Sequence, residues 1–205
     1  MNNYFYKIAK FDIDQSLLYN EWFHVATKHD MFDKTIKFIE NDDGMEVYNH
    51  KLVYKIYHRL RINYPSSMSS DMDPVMIQGY NSHVEYIGYS IDNIIDDFKG
   101  SYTEKIARQV HDYLLEKYPA LYITSIKYHS ISPKSSLTLH VDNSTIPRFF
   151  LSASVPEGCY MQINDEKIPM HETGALFRMM CKVLHNPINE SEDYRVSMIF
   201  DVAYR

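Results

Sequence analysis

His140 and Asp142 stand two residues apart in a β-rich run, so in an extended strand both side chains leave the same face. A second histidine, His185, is followed ten residues later by Arg195 and then by Ser197. Two histidines and one carboxylate on a β scaffold are the donor set that suits an open-sided iron(II) site. Arg195 and Ser197 share a face of the last strand. There a guanidinium can grip a carboxylate with two hydrogen bonds, and a hydroxyl two residues on adds another donor. If that face is interior, an unpaired arginine would cost several kcal/mol and calls for an anion, for which a small dicarboxylate would serve. The alternative is a surface arginine paired with Glu192 or Asp193.

A His-x-acid triplet is a weak signal by itself, because this composition supplies roughly 1.3 of them by chance. The chain holds two, His140-Val141-Asp142 and His83-Val84-Glu85. Only the first is followed by strands long enough to bring a further histidine and an arginine back beside it. Counting back from His185 by twos gives Val183, Cys181, Met179, Phe177 and Ala175, all apolar, while Arg178 and Lys182 mark the other face. His185 therefore closes the buried face of a strand expected over 175–184, where a ligand is more useful than a core histidine bonded to backbone.

These residues carry a family resemblance. The segment HNPINESEDYRVSMIFD, with Asn189 four residues after His185 and Arg195 ten after it, resembles the end of the iron(II)/2-oxoglutarate-dependent oxygenases. It is most similar to their aspartyl/asparaginyl β-hydroxylase-like branch. Upstream, SISPKSSLTLHVD resembles the proline-containing turn before that branch's first metal histidine, and Arg195-Val196-Ser197 resembles the Arg-x-Ser motif used on the cosubstrate. The resemblance spans about residues 120–203. It implies a double-stranded β-helix (a cupin-like jelly roll), with His140, Asp142 and His185 as iron(II) ligands and catalytic centre. It places Arg195 and Ser197 on the far carboxylate of 2-oxoglutarate. The implied reaction hydroxylates an unactivated C–H bond of a peptidyl or free amino-acid side chain, using dioxygen and decarboxylating 2-oxoglutarate to succinate. Two departures stand out. Some members of the branch have glycine where this chain has Asp142, whose carboxylate completes the triad as in the wider superfamily. In the β-hydroxylase proper an arginine follows the first metal histidine by nine residues; Arg148 follows by eight. Arg148 joins the cofactor-binding candidates with three roles open: cosubstrate, substrate, or solvent alongside Ser152 and Ser154.

The elements that must position these residues follow from periodicity. Residues 4–11 read as an edge strand. Asp14 reads as an N-cap for a helix burying Leu18, Trp22, Val25 and Ala26. A second helix is expected after Asp43, with Glu46 as capping partner and Val53, Ile56, Tyr57 and Leu60 as its stripe. Residues 65–74, PSSMSSDMDP, read as a loop on the substrate side. Residues 86–98 mix a short strand with a helix placing Ile91, Ile94, Ile95 and Phe98 together. Ser101 and Glu104 form a capping box opening a helix that buries Ile106, Val110 and Leu114. From Leu121 the period changes to two, predicting strands at 121–129, 136–142, 148–155, 159–164, 167–171, 175–184 and 194–203. Short strands with turns between them suggest a sandwich or barrel. The expectation is an α+β chain: one domain over 1–205, with mostly helical support and substrate-side residues in 1–119 and the metal barrel in 120–205.

Composition fits that expectation. The 205 residues are 45% hydrophobic and 23% charged, ordinary for a globular chain. The N-terminus lacks the charged flank and apolar core of a signal peptide, so a cytoplasmic protein with Cys159 and Cys181 reduced is expected. Net charge is −6, which argues against a broad phosphate-binding surface and against a nucleic-acid demethylase. The basic cluster of Lys51, Lys55, His58, Arg59 and Arg61 reads as a solvated helix face. With six glycines and no GxGxxG or Gly-Lys-Ser/Thr, common nucleotide-cradling loops are excluded. Two rival classes remain. A non-catalytic cupin-like binding or structural module would share the strands but not the metal. A His-Asp phosphohydrolase rests only on His24, His29-Asp30 and His111-Asp112, dipeptides that ordinary residue usage explains.

Overall fold

The computed structural model describes residues 3–32, 57–61, 63–65, 89–137, 139–142 and 146–205. Alternation from Leu121 onward produces strands β5 (Leu121–Ile131), β6 (Ser135–Ser136), β7 (Pro147–Ser154), β8 (Cys159–Ile163), β9 (Glu166–Pro169), β10 (Ala175–Met180), β11 (His185–Asn189) and β12 (Arg195–Tyr204). They divide between two antiparallel sheets. One runs β10-β7-β12-β5 and the other β6-β11-β8-β9, so the chain passes repeatedly from sheet to sheet. That winding is the double-stranded β-helix, a jelly roll.

The first half of the chain enlarges the first sheet. β1 (Phe5–Lys10) pairs with β10, and β2 (Tyr57–Arg61) pairs with β5, giving six strands. A separate pair joins β3 (Asn63–Pro65) to β4 (Tyr89–Ile94). Period-two alternation gives this sheet two different faces. Ile126, Tyr128, Phe149, Leu151, Leu176, Val196, Met198 and Phe200 point outward, into a cluster with the helices. Phe150, Phe177, Met179 and Ile199 point inward and pack with Cys159, Met161 and Ile163 of the second sheet.

Among the described residues, two helices cover the outer face. α1 (Gln15–Lys28) is capped by Asp14, whose carboxylate accepts from the amides of Ser16 and Leu17. It buries Leu18, Trp22, Val25 and Ala26, the stripe expected from the sequence. α2 (Tyr102–Lys117) is capped by Ser101 and buries Ile106, Val110 and Leu114. Its Glu104 reaches back to the Gly100 amide at 2.6 Å, one residue before the usual capping-box donor. Among the described residues no helix is long and apolar enough to cross a membrane.

Four expectations change. Residues 57–60 form strand rather than helix, because pairing with β5 overrides a helical apolar pattern. Ile91 and Ile94 lie in strand β4, followed only by a single 3₁₀ turn at Asp96–Phe98. The strand expected over 136–142 shrinks to β6 and an isolated bridge between His140 and His185. The strand expected over 175–184 ends at Met180; a turn at residues 181–182 carries the chain to the other sheet, so His185 opens β11 instead of closing β10. The 66–73 loop, the His83 triplet and the Val53–Ile56 part of the expected second helix lie outside the described residues.

Candidate metal centre

Leu137 and residues 139–142 lie along the start of β11 and the turn that precedes it. Leu137 N–H donates to the Pro187 carbonyl at 3.2 Å, and Asp142 N–H to the Cys181 carbonyl at 3.2 Å. Between them, His140 and His185 exchange both backbone hydrogen bonds, at 3.0 and 2.8 Å. Directly opposite residues in such a pair put their side chains on one face. The two imidazole rings accordingly sit 4.3 Å apart, and Asp142, two residues along, joins them. One donor atom from each of His140, Asp142 and His185 lies within 4.8 Å of the others.

His185 is prepared as a ligand. Its Nδ1 lies 2.8 Å from the Val183 carbonyl, which can only accept, so Nδ1 carries the proton and Nε2 presents a lone pair. Burial lowers its pKa and keeps the ring neutral near pH 7. The backbone contact and the ligand role therefore coexist on different nitrogens.

Arg148 spends its guanidinium on two carboxylates. Nη1 donates to Asp142 Oδ2 at 3.0 Å, and Nε donates to Asp201 Oδ1 at 2.6 Å. Ser125 Oγ donates to Asp201 Oδ2 at 2.8 Å, and Lys127 Nζ pairs with the same oxygen. The ladder explains this: Asp201 on β12 lies opposite Arg148 on β7 and Ser125 on β5. Burial works to raise the Asp201 pKa, but Arg148 and Lys127 hold it well below the usual carboxylate range. Arg148 does not simply face water alongside Ser152 and Ser154: it is partly exposed, but its guanidinium is committed to the two carboxylates, and Ser152 is buried and donates to the Met170 carbonyl at 2.8 Å.

Arg195 is 2% exposed. Its Nη1 donates to the Tyr160 carbonyl at 3.1 Å, and its Nη2 lies 2.8 Å from Met170 Sδ. Among the described residues it has no ion pair. The surface alternative fails, as Glu192 pairs with Lys134 instead. Burial pushes the Arg195 pKa down to about 10, which still leaves it protonated at neutral pH. Two residues along the same face, the buried Ser197 hydroxyl has no hydrogen-bond partner among the described residues. His129 lies opposite Ser197 on β5, and burial, then Arg195 and Arg148, hold it well below its ordinary pKa.

Asn189 sets the turn that delivers Arg195. Its Nδ2 is 3.1, 2.9 and 2.8 Å from the carbonyls of Ile131, Ser132 and Asp193, and its Oδ1 accepts from Ser191 N–H at 3.0 Å. Cys159 Sγ donates to the same oxygen at 3.2 Å. Ile131 is the residue opposite Arg195, so this one amide ties the 189–193 turn to the strand beside the arginine. Sequence reading assigned no role to Lys127, His129 or Asp201. The available signal was Lys127 and His129 falling in phase with the apolar Ile131 on a buried strand.

The donor chemistry fits a ferrous ion: two imidazole nitrogens and one carboxylate converge on one point. The buried guanidinium, without an ion pair among the described residues, and the orphaned hydroxyl beside it fit a carboxylate of a small dianion.

Residues 105–204 match the family model described as aspartyl/asparaginyl beta-hydroxylase, the branch suspected from residues 185–201. No curated protein matches the chain. Among solved structures, AviO1 from Streptomyces viridochromogenes Tue57 superimposes with a TM-score of 0.52 at 9% identity, covering 98% of this chain and 89% of that one. At that identity the likeness is one of fold. Viral collagen prolyl hydroxylase from Paramecium Bursaria Chlorella virus-1, in its 2OG complex, matches with a TM-score of 0.40 at 13% identity, over 50% of this chain and 73% of its own. A 2OG-Fe(II) oxygenase family oxidoreductase from Burkholderia pseudomallei matches with 0.40 at 10% identity, over 49% of this chain and 55% of its own.

Proposed function

We propose that this chain is an iron(II)/2-oxoglutarate-dependent dioxygenase that hydroxylates an unactivated C–H bond of an amino-acid side chain, peptidyl or free. The match of residues 105–204 to an aspartyl/asparaginyl beta-hydroxylase model supports the choice of side chain. The observation that carries the reading is the pairing of two features in one jelly roll. His140, Asp142 and His185 converge, and Arg195 on the inward face of β12 is buried as a cation with no ion pair among the described residues.

In this reading His140, Asp142 and His185 hold iron(II), and Arg195 with Ser197 binds and orients the far carboxylate of 2-oxoglutarate. Bound together, iron and 2-oxoglutarate supply the oxidising power for C–H hydroxylation by dioxygen, with decarboxylation of 2-oxoglutarate to succinate. The chain's own work is positioning and exclusion of water. The Val183 carbonyl keeps the His185 proton on Nδ1. Phe150, Phe177, Met179 and Ile199 line the interior with apolar surface. Residues 1–119 would supply the substrate side and 120–205 the barrel.

Thermal unfolding under anaerobic conditions tests the binding half of this proposal. Iron(II) raises Tm, and 2-oxoglutarate raises it further only when metal is present. If neither addition moved Tm, the fold would be serving as a non-catalytic cupin-like module and the proposal would fall.

A further inference from the structure

We propose that Arg148 is a positioning residue that sets Asp142 in the ligand group, held in turn by Asp201, Lys127 and Ser125, and that it does not bind 2-oxoglutarate. This rests on the reading of His140, Asp142 and His185 as metal ligands.

Asp142 is weakly anchored by its own backbone. It lies outside any strand, with one amide hydrogen bond, to the Cys181 carbonyl. Its side chain is held at the histidines by Arg148. Nη1 takes Oδ2 at 3.0 Å, while Oδ1 lies 3.7 Å from His140 Nε2 and Oδ2 lies 3.9 Å from His185 Nε2. The carboxylate thus stands between the guanidinium and the two ring nitrogens.

Arg148 can set that direction because it is itself fixed. Its Nε is bound to Asp201, and the planar fork turns two hydrogen bonds on different edges into a defined orientation. Asp201 is fixed by Ser125 and Lys127 from the next strand, so three strands define where Asp142 points.

Charge separates this role from cosubstrate binding. Lys127 and Arg148 face Asp201 and Asp142, two cations against two carboxylates, and the group balances without a ligand. Arg195 has no such partner among the described residues. A dianion therefore gains more from Arg195 than from Arg148, whose hydrogen bonds it would have to break. Arg148 sets metal affinity and Arg195 sets 2-oxoglutarate affinity.

Cobalt(II) titration, followed by its visible absorption, measures the first. 2-Oxoglutarate titration of the cobalt-saturated protein measures the second. Arg148→Gln and Asp201→Asn should weaken cobalt binding by about 10–100-fold while leaving 2-oxoglutarate affinity of the saturated protein as in wild type. Arg148→Lys keeps the charge but lacks the fork, and should recover part of the loss. Arg195→Lys should show the reverse pattern. If Arg148→Gln does not fold, Arg148→Lys and Asp201→Asn decide the same question. Unchanged cobalt affinity in the Arg148 variants, or a loss confined to 2-oxoglutarate, would overturn the inference while the metal site stands. A wild type that takes up no cobalt would remove the metal site itself, and the inference with it.

Discussion

Asp201 and Arg195 leave the same inward face of β12, and their charges are handled in opposite ways. Asp201 is gripped by Arg148 and Lys127, whereas Arg195 has no ion pair among the described residues. One buried charge is thus neutralised by neighbouring cations while the other, six residues away, is met among the described residues only by the Tyr160 carbonyl and Met170 Sδ, which is what the proposed carboxylate-binding role requires.

That asymmetry makes Arg195 costly to the free protein. Replacing Arg195 with Met removes a buried cation while keeping volume, so the ligand-free protein should unfold at the same temperature or higher, by an amount equivalent to about 1–4 kcal/mol at most. The Tm increase produced by 2-oxoglutarate should vanish in the same variant. Thermal unfolding with and without the dicarboxylate checks both. An Arg195→Met protein that melted much lower than wild type would mean the arginine is already structurally satisfied.

Asp201 predicts a specific acid response. Its folded pKa lies below its unfolded value, so its stabilising contribution is complete above the unfolded value, about 3.9, and is lost progressively as pH falls further. Denaturant unfolding between about pH 5 and pH 2 should show a shallower loss of stability in Asp201→Asn than in wild type. Parallel curves would show that Asp201 is not the group protonated on acid unfolding.

Gly174 and Gly100 both hold positive φ, at +76° and +73°, yet they should respond differently to alanine. A Cβ on Gly174 would lie 2.0 Å from the Phe11 carbonyl oxygen, whose residue donates its amide to the Gly174 carbonyl at 2.9 Å. Nothing lies within 4 Å of a Cβ on Gly100. Gly100→Ala should cost about 1–2 kcal/mol from backbone conformation alone. Gly174→Ala should cost more, about 3 kcal/mol or above, since the β1–α1 connection must move away from β10. Equal costs for the two would mean that the Phe11 contact relaxes freely.

Much of the site was legible because strands alternate. Arg195 and Ser197 follow from a spacing of two on β12 and are both buried, whereas His140 and Asp142 keep the same spacing beside His185 without a full strand and stay partly exposed. The capped helices were legible too, since Asp14 and Ser101 precede strong apolar stripes. The break after Met180 was not. Period two runs on through Cys181 and Val183, and the turn there contains neither glycine nor proline, so nothing local marks the change of sheet. The strand at 57–61 was misread for a related reason, because its place is decided by β5, about 70 residues away. The Arg148–Asp201–Lys127 network depends on the register of three strands that are not consecutive. No spacing within one strand encodes that register, which is why Arg148 stayed ambiguous until the strands were paired.

The central claim is that His140, Asp142 and His185 hold a working iron centre fed by 2-oxoglutarate. Anaerobic loading with iron(II), followed by dioxygen and 2-oxoglutarate, and measurement of succinate with and without candidate peptides and amino acids, tests it most directly. Wild type should release succinate, faster with a true substrate, and His140→Ala should lose that release by at least about 100-fold. Succinate from wild type no greater than from His140→Ala under every condition would contradict the claim.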